Sequence, residues 1–121
     1  MLNGFEQHTA PLSVGEMIYI PRLVDALSHA QGKDLAVTNN ELRRLFGLDA
    51  PRVRKLINHI RKEGLVPCLI ASNKGYYVAQ SGKELRGYTE SLRGRESAIR
   101  AVREKIERQG AERFGRELRW F

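Results

Sequence analysis

The amino-acid sequence predicts a mainly helical chain with one small β-hairpin, an α+β class, and a long helix after the hairpin. Three observations carry that expectation. Two short amphipathic helical stretches flank Gly47-Leu48-Asp49. Apolar and β-favouring residues flank a turn-like Ser72-Asn73-Lys74-Gly75. Apolar residues then recur at gaps of three and four from Leu85 to Ile106, broken once by Arg95.

Met1 to Leu12 is a polar lead-in containing Gly4 and Pro11. Ser13-Val14-Gly15-Glu16 reads as a capping box, in which a serine oxygen accepts an amide and the glutamate three residues on reaches back. A helix begun there meets Pro21, which lacks an amide hydrogen and crowds the preceding turn. Two solutions are open: a kinked helix from Val14, or a fresh helix with Pro21 in its first turn. In either, Leu23, Val24, Leu27 and Ala30 share one face, and Gly32 is the expected stop. Leu35 to Val37 suits a short first strand.

Thr38-Asn39-Asn40-Glu41 is a second capping box. The helix it opens has Leu42, Leu45 and Phe46 as its expected buried stripe and ends at Gly47. Asp49 can cap the next helix, with Pro51 in the first turn. That helix runs to Glu63 and stops at Gly64. Two helices joined by a tight glycine turn form a helix-turn-helix. Leu65 to Ala71 and Tyr76 to Ala79 then read as a hairpin with a four-residue connection, and Pro67 limits pairing at the start, so that part is either an edge or not yet strand. Tyr76 and Tyr77 must point to opposite faces, one towards the core, and the pattern leaves open which. Ser81-Gly82-Lys83-Glu84 opens the last helix with a third box of this kind after Thr38. Gly110 and Gly115 weaken its far end. The organisation is therefore a lead-in with a further helix candidate (residues 1–20), a helix-turn-helix with hairpin (21–79) and a helical tail (80–121).

The charge is uneven. The 121-residue chain carries a net +7, but residues 1–34 hold two basic and four acidic groups, whereas residues 35–64 hold seven basic and three acidic. Residues 65–82 add Lys74 alone, and residues 83–121 hold eleven basic and seven acidic groups. A positive field concentrated on the helix-turn-helix points to a polyanionic partner.

On a helical wheel, Val53, Leu56, Ile57 and Ile60 gather on one side of the second helix. The opposite side holds Lys55, Asn58 and Lys62, with Arg54 and His59 flanking and Arg52 at the N-terminal end. Arginine and lysine donate to guanine N7 and O6, and asparagine pairs with adenine. Arg52, Lys55 and Asn58 are therefore the expected base readers. Arg43, Arg44, Arg54, His59, Lys62, Asn73 and Lys74 are the expected backbone contacts, which position without specifying. A polar outer face is also what any surface helix carries, so the face alone is weak support.

Taken together, Asn40-Glu41-Leu42-Arg43-Arg44-Leu45-Phe46-Gly47-Leu48, the run from Val53 to Gly64, and Lys74-Gly75-Tyr76-Tyr77-Val78 resemble the winged helix-turn-helix superfamily. They are similar above all to the N-terminal DNA-binding domain of biotin repressors, where a Lys-Gly-Tyr element also follows the wing turn. Small stand-alone winged-helix proteins of phages and mobile elements look similar too. The resemblance covers about half of the chain. It implies that Pro51 to Glu63 is a recognition helix and Asn73-Lys74 a wing tip. A ligase domain has no room here, so biotin binding is not implied.

In the tail, Leu85, Tyr88, Leu92, Ile99, Val102 and Ile106 form a heptad seam. They are the expected dimerisation residues, as in regulators of the PadR type, and a two-fold dimer suits a palindromic site. Folding back onto the same chain would bury the same stripe. Phe114, Leu118, Trp120 and Phe121 add an apolar end.

No catalytic set emerges. His8, His29 and His59 stand at no metal-ligand spacing with each other or with Cys68. The single cysteine lies in an apolar run, where a buried inert thiol is expected. No phosphate-binding loop or nucleophile elbow occurs. The chain is therefore expected to be no enzyme, to need no cofactor, metal or small-molecule ligand, and to bind double-stranded DNA as a transcriptional regulator or replication accessory. Met17 to Ile20 is too short to span a bilayer and Met1 to Pro11 is no secretory signal, so a cytoplasmic homodimer without membrane association is expected. The rival expectation is a winged-helix assembly module acting through the tail, because fold does not fix function. Single-stranded nucleic acid would call for more stacking aromatics.

Overall fold

Ser13 opens the first helix of the computed structural model, which describes residues 11–118. Its Oγ accepts from the Glu16 amide at 3.2 Å, and the Glu16 carboxylate accepts from the Ser13 amide at 2.9 Å. This closed box starts α1 (Val14–Met17), which is a single turn. Pro21 then sits in the first turn of a separate helix, α2 (Ile20–Ser28), so the chain starts afresh rather than kinking. Leu23, Leu27 and Ala30 are buried and Val24 partly so.

The helix ends at Ser28, four residues short of the predicted stop at Gly32. Ala30 is drawn away because its carbonyl accepts from the Val78 amide at 2.8 Å, while Gly32 donates to the Val78 carbonyl at 3.0 Å. The predicted strand over Leu35 to Val37 is corrected in the same way. Lys33–Leu35 forms a 3-10 turn, and Val37 alone pairs with Tyr76, at 2.9 and 2.8 Å.

Thr38 caps α3 (Asn39–Phe46), its Oγ1 accepting from the Glu41 amide at 3.1 Å. The Glu41 carboxylate accepts from the Thr38 hydroxyl at 3.2 Å. Leu42 is fully buried and Phe46 packs against the core, but Leu45 is 63% exposed. A two-turn helix meets the core along one narrow i, i+4 line, and Leu45 falls off it. Gly47 ends α3 in the left-handed region (φ 67), where a side chain would be strained. Asp49 accepts from the Arg52 amide at 2.9 Å and starts α4 (Ala50–Glu63). Val53, Leu56, Ile57 and Ile60 are at most 2% exposed, as their spacing requires.

Beyond Gly64 the chain turns through Val66, which is buried, and Cys68, which has φ 61 and is exposed. The expected buried thiol is thus overturned: the reversal between α4 and the hairpin turns Cys68 outward. β1 (Leu69–Ser72) pairs antiparallel with β2 (Gly75–Val78) in the register Leu69↔Val78, Ile70↔Tyr77, Ala71↔Tyr76, Ser72↔Gly75. Because Ser72 and Gly75 join the ladder, the connection is Asn73-Lys74, two residues rather than four. Both faces of the hairpin are covered. Leu69, Tyr76 and Val78 meet the main core, and Ile70 and Tyr77 are buried on the other side. A Cβ on Gly75 would lie 2.7 Å from the Val37 carbonyl oxygen, so the close strand approach needs glycine there.

Ser81 caps α5 (Gly82–Leu118), accepting from the Glu84 amide at 3.1 Å. Glu84 reaches the Gln80 amide, at 2.8 Å, so the box closes one residue early. Backbone dihedrals leave the helical region at Phe114, beside Gly115. The chain divides into two compact units, the first ending at Leu85 and the second beginning at Arg86. In α5, Leu85 and Tyr88 are half-buried. Trp120 and Phe121 lie outside the described residues, as does most of the lead-in. No helix among the described residues is long and apolar enough to cross a membrane.

Candidate nucleic-acid interface

Burying Val53, Leu56, Ile57 and Ile60 turns the polar side of α4 outward. Of the predicted site residues on it, Arg52, Arg54 and Lys62 are exposed, and Lys55, Asn58 and His59 are half-buried. Arg43 and Arg44 on α3 are exposed, as are Asn73 and Lys74 at the hairpin tip. Ser72 shapes that tip: its hydroxyl accepts from the Lys74 amide and donates to the Gly75 carbonyl, both at 3.1 Å.

An open cleft of about 570 Å³ joins three of these elements. Its lining includes Asn39 and Asn40 from the start of α3, Arg54 from α4, and Asn73 and Tyr76 from the hairpin. A second, of about 430 Å³, is lined by Asn40, Arg43, Arg44, Gly47 and Leu48. The fold thus brings Arg54 to Asn73 and keeps Arg43 with Arg44. Asn39 is a residue that sequence reasoning missed. Its Nδ2 donates to the Tyr76 hydroxyl at 3.3 Å, and its buried Oδ1 has no partner. Nothing local signals this link, since the two residues are 37 apart in the chain.

Glu16 is the second missed residue, and it pairs with Lys55. Its carboxylate is buried, with Lys55 Nζ at 2.8 Å and Arg52 Nε at 3.5 Å. The hydrogen bond from Lys55, then that from the Ser13 amide, hold its pKa down at about 2, against the opposing effect of burial. Lys55, its side chain only 18% exposed, is engaged as the counter-charge of an acid 39 residues away. The only sequence signal was the capping box, which showed Glu16 as a local helix starter. The same strand of packing continues through Tyr19, edge-on to the Phe46 ring at 6.4 Å, and Arg22, stacked over that ring at 5.2 Å.

The predicted seam in α5 has a different environment. Leu92, Ile99, Val102 and Ile106 are 38, 69, 59 and 61% exposed. Around them Arg103 pairs with Glu107 at 2.7 Å and Arg100 with Glu96 at 3.6 Å, one helical turn apart. Among the described residues, no group of three or more His, Cys, Asp or Glu is placed to hold a metal ion.

What these surfaces offer chemically is an array of hydrogen-bond donors on a rigid helix, flanked by a hairpin tip and two clefts. Guanidinium and amide groups so arranged can contact phosphates and base edges. No protein-family model, curated protein or solved structure matches the chain.

Proposed function

We propose that the chain is a sequence-specific duplex-DNA-binding protein of winged-helix type, acting in the cytoplasm as a transcriptional regulator or replication accessory and not as an enzyme. The observation that carries this reading is the placement of Arg52, Arg54 and Lys62 on the exposed side of α4, with Asn73 lining a cleft shared with Arg54 and Lys74 exposed beside it on the hairpin tip. In this reading α4 enters the major groove, with Arg52 and Asn58 facing base edges. Arg43, Arg44, Arg54, His59, Lys62, Asn73 and Lys74 meet the backbone. The α5 seam pairs two copies, which suits two half-sites.

The test is a salt titration of binding to random duplex DNA and to single strands of equal length. Duplex affinity that falls steeply with salt, as counterion release requires, supports the proposal. Absence of duplex binding at low salt overturns it. Lys74→Ala should weaken all sequences alike and lower the salt slope by about one, whereas Asn58→Ala should relax base preference. A second reading, an assembly module, is favoured by the exposed Leu92, Ile99, Val102 and Ile106. It predicts self-association with no affinity for duplex.

A further inference from the structure

The Glu16 carboxylate meets Arg52 on the Nε side of its guanidinium, with Oε2 3.5 Å from Nε. A guanidinium has five N–H donors in a rigid plane. Engaging the Nε edge leaves the two terminal amino groups side by side at the end of the plane. That pair is the fork that meets guanine O6 and N7 together. Arg52 is the third residue of α4, in the N-terminal part from which a recognition helix reaches base edges. Its side chain is 54% exposed, while that of Glu16 is 9% exposed. The acid is thus beneath the arginine and beyond reach of a base. Its other oxygen, Oε1, is itself held twice, by Lys55 Nζ at 2.8 Å and by the Ser13 amide at 2.9 Å. A free arginine carries several rotatable bonds, and ordering it on binding costs entropy. A fixed carboxylate behind it meets part of that cost in advance.

We infer that Glu16 is a positioning residue for base readout: it holds Arg52 from behind so that its terminal fork recognises one guanine, while Lys55 neutralises the acid. The inference rests on the DNA-binding reading and adds the base recognised and the residue that directs the recognition.

The test is selection of preferred sites from a random duplex library by the full chain, followed by titrations in which each G·C pair of that site is replaced in turn. Wild-type protein should discriminate against the replacement at one position per half-site by roughly 5- to 150-fold, the range for a good bidentate pair. Glu16→Gln should lose most of that preference at this position alone. Its affinity for the replaced site should hold or rise, because a negative charge near the DNA is gone, and the salt slope should not fall. Arg52→Lys should lose the same preference, since an ammonium has no fork. The double variant Glu16→Gln/Lys55→Gln leaves neither partner of that pair charged and keeps the test valid where the single variant unfolds; it should show the same loss of guanine preference at this position, with the wild-type net charge retained. Unchanged guanine preference in Glu16→Gln, or preferences weakened equally at every position, would overturn the positioning role while leaving DNA binding intact. Loss of duplex binding by the wild-type chain itself would instead strike the reading beneath it.

Discussion

Helices α4 and α5 each carry an apolar stripe, and the two stripes meet opposite fates. In α4, Val53, Leu56 and Ile60 are 0% exposed. In α5, Ile99, Val102 and Ile106 are each more than half exposed. The difference is one of supply. The stripe of α4 meets Leu23, Leu27, Leu42 and Val66 from its own unit. The α5 stripe from Leu92 onward meets no such cluster within its own unit. A stripe is a demand for burial, and only the rest of the fold determines whether it is met. The polar sides differ as well. Arg100 and Arg103 in α5 pair with glutamates on their own helix, whereas Arg52 and Lys55 in α4 pair with an acid from elsewhere.

The largest effect separating the two helices is expected from matched truncations. Leu56→Ala should cost about 2–5 kcal/mol, the range for emptying a packed site, and Ile99→Ala far less in dilute protein. Chemical denaturation of both variants checks this; equal losses would mean that α5 is buried in solution after all. Gly75→Ala follows. Its new Cβ would meet the Val37 carbonyl oxygen at 2.7 Å in a backbone of φ 118, so a loss of about 1–3 kcal/mol is expected in thermal unfolding.

The Glu16 contact sets a pH window. The folded pKa of about 2 lies below the unperturbed 4.5, so the stabilisation is complete above the higher value and is lost as pH falls towards the lower. The stability gap between wild type and Glu16→Gln should be widest near neutrality and close between those two values. A gap that persisted at pH 2 would exclude the ion pair as its source. The smallest thermodynamic effects are expected on exposed apolar residues. Leu45→Gln should change stability by less than about 0.5 kcal/mol. Ile99→Asp should do as little to the unit ending at Leu85, yet convert a dimer to monomers in sedimentation if the seam pairs two copies.

Much of this was legible residue by residue. The caps at Ser13, Thr38, Asp49 and Ser81 all bond the amide three residues on. Such contacts lie within one turn, so a short window of sequence contains both partners. The buried face of α4 was equally readable, because four apolar residues at helical spacing leave one solution. The candidate site was legible in outline, as donors on α4, α3 and the hairpin tip. Its wiring was not. Lys55 looked like its neighbours on the wheel, and nothing near it in sequence announces Glu16. Leu45 and Cys68 misled for a related reason. Leu45 falls off the narrow Leu42–Phe46 line of α3 and Cys68 sits in the reversal before β1, and exposure at such positions is set by the elements packed around them.

The order of helices and hairpin, the turn glycines, the caps and the basic bias of residues 35–64 follow from composition and local spacing alone. Local geometry is governed by backbone sterics and by hydrogen bonds within a few residues. Tertiary packing alone settled the rest. It ended α2 at Ser28 by taking Gln31 into a bridge with Val78. It shortened the hairpin turn to Asn73-Lys74, set Tyr76 against Asn39, and joined Glu16 to Lys55 and Arg52. These contacts depend on chain segments meeting in space, and no window of neighbouring residues contains both sides of the bond.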